Sequence, residues 1–225
     1  MANTLTAPTG GFQEFGRQEG GAPTAGLTPA WIASTDASIL LRGDPIATSS
    51  AGGTNLSGNY ITGITSGIGS SGIGFIRGVF QGCEQFIPTA GRVVWSNSYN
   101  GSVTNSTGDV RCWIIDDPDR NFLVQGSTSA AFTSSFIGLN AGFGSYSSAN
   151  GTTGLSNAQL LSSTVGSTNT LPFRIVDFYS AYAPPAVPAV GTAAFINGTD
   201  NTTPANMVIV RLNNCDRNNL TARSS

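Results

Sequence analysis

Short apolar runs, each stopped within a few residues by Gly, Pro, Asn or Asp, dominate this chain and leave little room for helices. Its 225 residues include 29 glycines and 11 prolines. Glycine frees the backbone for turns and bulges, and proline fixes φ and withholds an amide donor, so both punctuate strands. Residues 74–86, GFIRGVFQGCEQF, are apolar and glycine-interrupted, as in a strand that bends or bulges. A Pro-Thr-Ala-Gly turn comes next, so this run is predicted to pair with residues 91–96 as a hairpin. In residues 110–115, Val110, Cys112 and Ile114 alternate with Arg111, Trp113 and Ile115. Apolar groups on both faces place such a strand between two layers, or between a core and a partner.

Residues 121–125, 171–182 and 207–212 read as further strands. Residues 36–48 read as a strand running into a turn at Gly43, Asp44 and Pro45. Residues 49–73, with SGIG at 66–69 and again at 71–74, read as loop with short strand pieces, and PPAVP at 184–188 as a rigid linker. One short helix is predicted over 156–163, with Ser156 as N-cap. Together these elements predict an all-β fold, a jelly-roll-like sandwich or barrel, as a single domain over 36–225. Residues 1–35 show no period. They carry Pro8, Pro23, Pro29, two Gly-Gly pairs and isolated Phe12, Phe15, Leu27 and Trp31, and read as an extended arm ordered by its aromatic side chains, with a flexible tail as the alternative.

The chain has no lysine and no histidine; its ten cations are all arginine, against twelve acidic groups, for a net charge of −2. A Ser-His-Asp triad, a Ser-Lys dyad and a Cys-His pair are therefore excluded, and so is a lysine Schiff base. Any enzyme here would work through carboxylates, tyrosine or a cofactor. The low net charge argues against whole-chain disorder and against nucleic-acid binding. The longest apolar stretches fall far short of the ~20 residues of a membrane helix. The opening MANTLTAPTGGFQEF lacks a cationic start and an apolar core, so no signal peptide is expected, and synthesis in a cytoplasm is. So few charges suit a surface that is uncharged or that a partner covers.

Three motifs invite chemistry. Asp116, Asp117, Pro118 and Asp119 come directly after a strand, where Asp and Pro are ordinary turn formers, with Arg111 or Arg120 close enough in sequence to neutralise them. The same cluster could hold a hard cation or supply a pair of hydrolytic carboxylates. Residues 67–72 match GxGxxG, but the segment after them is of β type, whereas a dinucleotide site requires a helix there. Cys83, Cys112 and Cys215 lack a CxxC pair and read as three buried thiols; a Cys83–Cys112 bridge would need neighbouring strands to place them opposite each other.

GDPI at 43–46, GVFQGCEQF at 78–86, Trp95 and VRCWIIDDPDRNFLVQ at 110–125, taken in order, resemble a family of small structural proteins of tailed bacteriophages encoded near the major capsid protein. In that family a short arm carries a Gly-Phe element, here Gly11-Phe12, and a basic position that Arg17 matches. At the end of its last strand this chain has Asn213-Asn214-Cys215 where relatives have a histidine. The resemblance implies a cement, or head decoration, protein. It would sit on the outer surface of the capsid, bind the major capsid protein and itself, as a trimer, and need no cofactor, metal, membrane or nucleic acid. Phe12, Phe15, Arg17 and Trp31 are then the expected contacts to the shell or to a neighbouring subunit. A glycan-binding tail or fibre module is the alternative, and a carboxylate glycan hydrolase a more distant one.

Overall fold

The computed structural model describes residues 10–17, 26–49, 59–64, 76–87, 91–101, 108–144, 153–179 and 204–217. In chain order the strands are β1 (Gln13–Arg17), β2 (Thr28–Ile32), β3 (Ile39–Leu41), β4 (Pro45–Thr48), β5 (Tyr60–Gly63), β6 (Gly78–Ile87), β7 (Arg92–Ser96), β8 (Ser98–Asn100), β9 (Val110–Ile115), β10 (Arg120–Gln125), β11 (Asn140–Ala141), β12 (Phe143–Gly144), β13 (Gln159–Leu160), β14 (Phe173–Phe178) and β15 (Met207–Leu212). Helix among the described residues is limited to two 3-10 turns, Ser134–Phe136 and Ser162–Thr164. The GxGxxG match, both SGIG repeats and PPAVP lie outside the described residues.

The fold is all-β, and it contains a barrel. Strands β4, β5, β2, β9 and β6 join edge to edge, and β4 also pairs with β6, which closes a five-stranded ring. Closure removes the edges that would recruit another chain. The ring strands are antiparallel except where β2 meets β5. The predicted hairpin forms: β6 runs ten residues, its far end outgrows the ring, and it pairs with β7 from Cys83↔Ser96 to Ile87↔Arg92. A second sheet, ordered β1-β10-β15-β14-β11, covers part of the barrel wall.

Two buried clusters result from this layering. Ile32, Ile46, Ile61, Phe80, Cys83, Val110, Cys112 and Ile114 belong to the cluster that fills the barrel. The other lies between the barrel wall and the second sheet, where Phe12, Phe122, Phe132, Phe143 and Phe173 join Ile76, Val79, Ile115, Val208 and Val210. Phe12 stacks on Phe173 with centroids 4.2 Å apart, and Phe143 meets both edge-on at about 6 Å. Burying each phenyl group stabilises the fold by about 2–3 kcal/mol. Adjacent residues of β6 (Val79, Phe80) and of β9 (Ile114, Ile115) serve different clusters, so these two strands stitch the halves together. The period-two reading of β9 finds its cause here: one face lines the barrel, and the other is covered only at Ile115.

Several expectations need correction. Residues 10–17 and 26–35 are no arm: β1 pairs with β10, and β2 is a central barrel strand between β5 and β9. Phe12 is fully buried, so it anchors the protein's own core. Scattered aromatics in a Gly/Pro-rich stretch look unpatterned when each strand has only five residues. The single core expected over 36–225 is two clusters, one of which includes Phe12. The segment 36–48 is two strands, β3 paired with β8 and β4 built into the barrel. No helix forms over 156–163: β13 and a 3-10 turn occupy it, and the Ser156 hydroxyl accepts from the Ala158 amide in a local turn.

The Gly43-Asp44-Pro45 turn is a crossing point. Gly43 adopts φ +95°, and a Cβ there would lie 2.1 Å from the Gly10 carbonyl oxygen. The Gly43 amide donates to the Phe80 carbonyl, the Phe80 amide to the Asp44 carbonyl, and the Phe12 amide to the Gly43 carbonyl. The buried Asp44 carboxylate accepts from the Leu41 amide at 2.7 Å. Burial pushes this carboxyl up from 3.8 to about 6, against the opposing pull of the Ser156 side chain and the Leu41 amide.

The Asp116–Asp119 segment is a salt-bridged turn. Asp116, almost fully buried, accepts from the Thr28 hydroxyl at 2.7 Å and meets Arg77 and Arg217 at 3.1 and 3.2 Å. Asp117 accepts from the Asp119 amide across Pro118 and pairs with Arg120, whose buried guanidinium also holds Glu14 at 2.6 Å. Arg120 thus serves as the expected counter-ion of Asp117, while Arg111 points elsewhere. These carboxylates tie β1, β2 and the C-terminal segment to the turn.

Candidate functional site: a tryptophan wall on the barrel

The second sheet covers Val79 and Ile115 but leaves bare the part of the barrel wall formed by β2, β9, β6 and β7. Strand register places Trp31, Arg111, Glu84 and Trp95 in one row across these four strands. Cross-strand partners point to the same face, so all four side chains belong to the outer wall. Phe86 and Val93 form the next row. On the other side of the first row, Trp113 stands opposite Pro29 and Gly82. All three tryptophans of the chain are therefore on one face.

A groove of about 380 Å³ runs along this wall, lined chiefly by Trp31, Glu84, Phe86, Val93, Asp109 and Arg111. Val93 is 58 % exposed and Trp95 49 %. Four of the seven exposed large apolar side chains among the described residues, Phe86, Ile87, Val93 and Trp95, sit on the β6–β7 hairpin. Single exposed apolar residues are ordinary, but a contiguous set marks a binding surface.

The wall is held in place from behind. β6 carries a bulge between Phe80 and Gly82. Gly82 has φ +147°, and a Cβ there would come 2.5 Å from the Trp95 ring, so the indole lies directly on the glycine. Trp95 packs at 48° against Trp113 with centroids 5.0 Å apart, and the Arg111 guanidinium lies 5.1 Å from the Trp113 ring centre. Asp109 accepts from the Tyr60 hydroxyl at 2.6 Å and the Ser34 amide at 3.0 Å, which fixes one rim. The Glu84 and Arg111 side chains, neighbours in the row, form neither an ion pair nor a hydrogen bond among the described residues. The arrangement offers aromatic contact, one acceptor and one donor.

The expected contact residues part company. Phe12 is core. Trp31 is half-buried and forms part of the groove. Phe15, on the edge strand β1, is 41 % exposed and packs edge-on against Tyr179 at 5.6 Å. Arg17 ends the same strand, its backbone in register with Arg120. Gly43 and Asp44 lie at the crossing point where β4 begins with Pro45, and Asp116, Asp117 and Pro118 lie in the salt-bridged turn between β9 and β10. Glu84, Phe86, Val93, Trp95 and Arg111 do not stand out in the sequence as a set; their signal is a predicted hairpin with apolar groups on both faces.

All three cysteines are buried and outside any disulfide, although Cys83 and Cys112 are direct cross-strand partners. Burial pushes the Cys83 thiol up to about 12 and Cys112 well above its ordinary value. The described residues contain no cluster of three or more Cys, Asp or Glu able to hold a metal, and no helix long and apolar enough to cross a membrane. No protein-family model matches the chain, and no curated protein or solved structure matches it.

Proposed function

We propose that this chain is a bacteriophage capsid decoration protein. It binds the outer surface of the head, bridges neighbouring capsomers and acts without turnover. It is made in the host cytoplasm, assembles as a homo-oligomer, a trimer, and contacts the major capsid protein. The observation that carries this reading is β1, which among the described residues lies at one edge of the second sheet and displays the exposed Phe15. An edge strand offers unpaired amides and carbonyls to another chain, and an exposed aromatic adds a contact of the type that dominates interfaces. Cyclic symmetry repeats that contact in each subunit, and avidity multiplies modest affinities. The charge-poor composition and the ordered motif set agree with this role.

Phe15→Asp is the test. Deleting residues 1–35 would remove Phe12 and β2 and so report on folding. The point variant should stay folded and oligomeric but lose occupancy on expanded empty heads, measured by co-sedimentation. Undiminished occupancy would overturn the β1 assignment, and absence of the wild-type protein from heads would overturn the function.

A further inference from the structure

We infer that the groove on the tryptophan wall is a carbohydrate site that takes about one or two sugar rings of an uncharged or amino sugar. This does not depend on head attachment, which uses the other sheet. The groove has a small-ligand volume, about 380 Å³. Trp31 and Phe86 supply apolar walls against which the C–H face of a pyranose packs. Between Trp31 and Trp95 the floor is charged: Arg111 and Glu84, side by side in the row, without an ion-pair partner among the described residues.

That floor decides the class of ligand. A protein surface closing over this wall would strand a carboxylate and a guanidinium, and interface centres are depleted of charged groups for that reason. Sugar hydroxyls donate to the carboxylate and accept from the guanidinium, so both charges are satisfied while part of their hydration remains. Among the described lining residues two carboxylates, Glu84 and Asp109, face one guanidinium, Arg111, which biases the groove toward negative charge. It therefore repels sialic and uronic acids and accepts neutral or amino sugars. The wall is also pre-organised. Asp109 is pinned by Tyr60 and Ser34, Trp95 rests on Gly82, and Arg111 lies over Trp113, so binding orders few side chains.

The experiment titrates the full chain with N-acetylglucosamine trimer, maltotriose, glucosamine trimer and sialyllactose, reading the three tryptophan indole N–H signals by NMR. At least one neutral or amino sugar should move the Trp31 indole signal with a dissociation constant on the order of 0.1–1 mM, and sialyllactose should bind more weakly. Glu84→Gln should weaken binding about tenfold with an unchanged melting temperature. If none of the three neutral or amino sugars moves an indole signal, if sialyllactose binds best, or if Glu84→Gln binds as wild type, the inference is wrong. A Val93→Cys variant gives an independent reading on decorated heads. Its thiol should remain open to maleimide; protection by the shell would assign the wall to a protein contact and overturn the sugar site.

Discussion

The two halves of the molecule use their aromatic residues in opposite ways. Between the barrel wall and the second sheet, five phenylalanines go inward, and Phe12, Phe143 and Phe173 pack ring on ring. Inside the barrel the cluster is mostly Ile, Val and Cys, and the tryptophans are outside. A ring of five strands is narrower than the eight-stranded barrel whose interior side chains just fill. It takes mainly branched aliphatic groups and thiols, with the one phenyl ring of Phe80, and holds no indole. The space between two sheets is about 10 Å deep and accepts phenyl rings in several orientations. Of the aromatic residues on the ring strands, Phe80 goes into the barrel, while Trp31, Phe86 and Trp113 point outward, where the second sheet or a partner can cover them. One half of the molecule is built for cohesion, the other for display.

That contrast can be broken most sharply at Phe173. Phe173→Ala should cost about 3–5 kcal/mol by denaturant titration; a loss below about 1 kcal/mol would mean the phenyl cluster does not hold the halves together. Next in size is a pH effect at the crossing point that joins the halves. Below pH 3.8 Asp44 is protonated both folded and unfolded, and its contribution is intact. Between 3.8 and about 6 the unfolded chain ionises while the folded chain keeps the proton, so stability is lost as the pH rises through about 6. The difference in stability between wild type and Asp44→Asn should shift by about 2 kcal/mol from pH 4 to 6.5, against wild type; a flat difference would place the carboxylate in water.

An effect of similar or smaller size is expected at Arg120. Arg120→Ala leaves Glu14 and Asp117 without their cation, but both carboxylates are partly exposed and can hydrate. The expected loss is about 2 kcal/mol, with faster amide exchange in β1. Trp95→Ala should cost only about 1 kcal/mol, because the side chain is half exposed; a loss as large as that of Phe173→Ala would make the wall part of the core and erase the contrast. Least disturbing is a thiol count. The native protein should show no reactive cysteine to a disulfide reagent at pH 8, and three after unfolding, since burial holds Cys83 and Cys112 protonated.

Most strands are legible because each carries its own period. The 74–86/91–96 hairpin, β9, β10, β14 and β15 need only alternation and a turn to be recognised. The turns at Gly43–Pro45 and Asp116–Pro118 are legible because Gly, Asp and Pro have local conformational preferences. β1 and β2 are not, since five residues among glycines and prolines show too few repeats to stand out. The site is half legible. Trp31 stands out by its chemistry yet reads as part of an arm. The pairing of Glu84 with Arg111 is hidden, because neighbours in a row across four strands are distant in sequence.

What the sequence determined alone was local and chemical: the β character, the turns, and the exclusion of every mechanism that needs histidine or lysine. Tertiary structure decided which face of each strand is covered. Val79 and Ile115 lie under the second sheet, while Trp31, Arg111, Glu84 and Trp95 on the same barrel wall do not. The physical reason is that alternation assigns a residue to one of two faces, whereas burial depends on what another part of the chain lays over that face, and strand pairing alone carries no record of it.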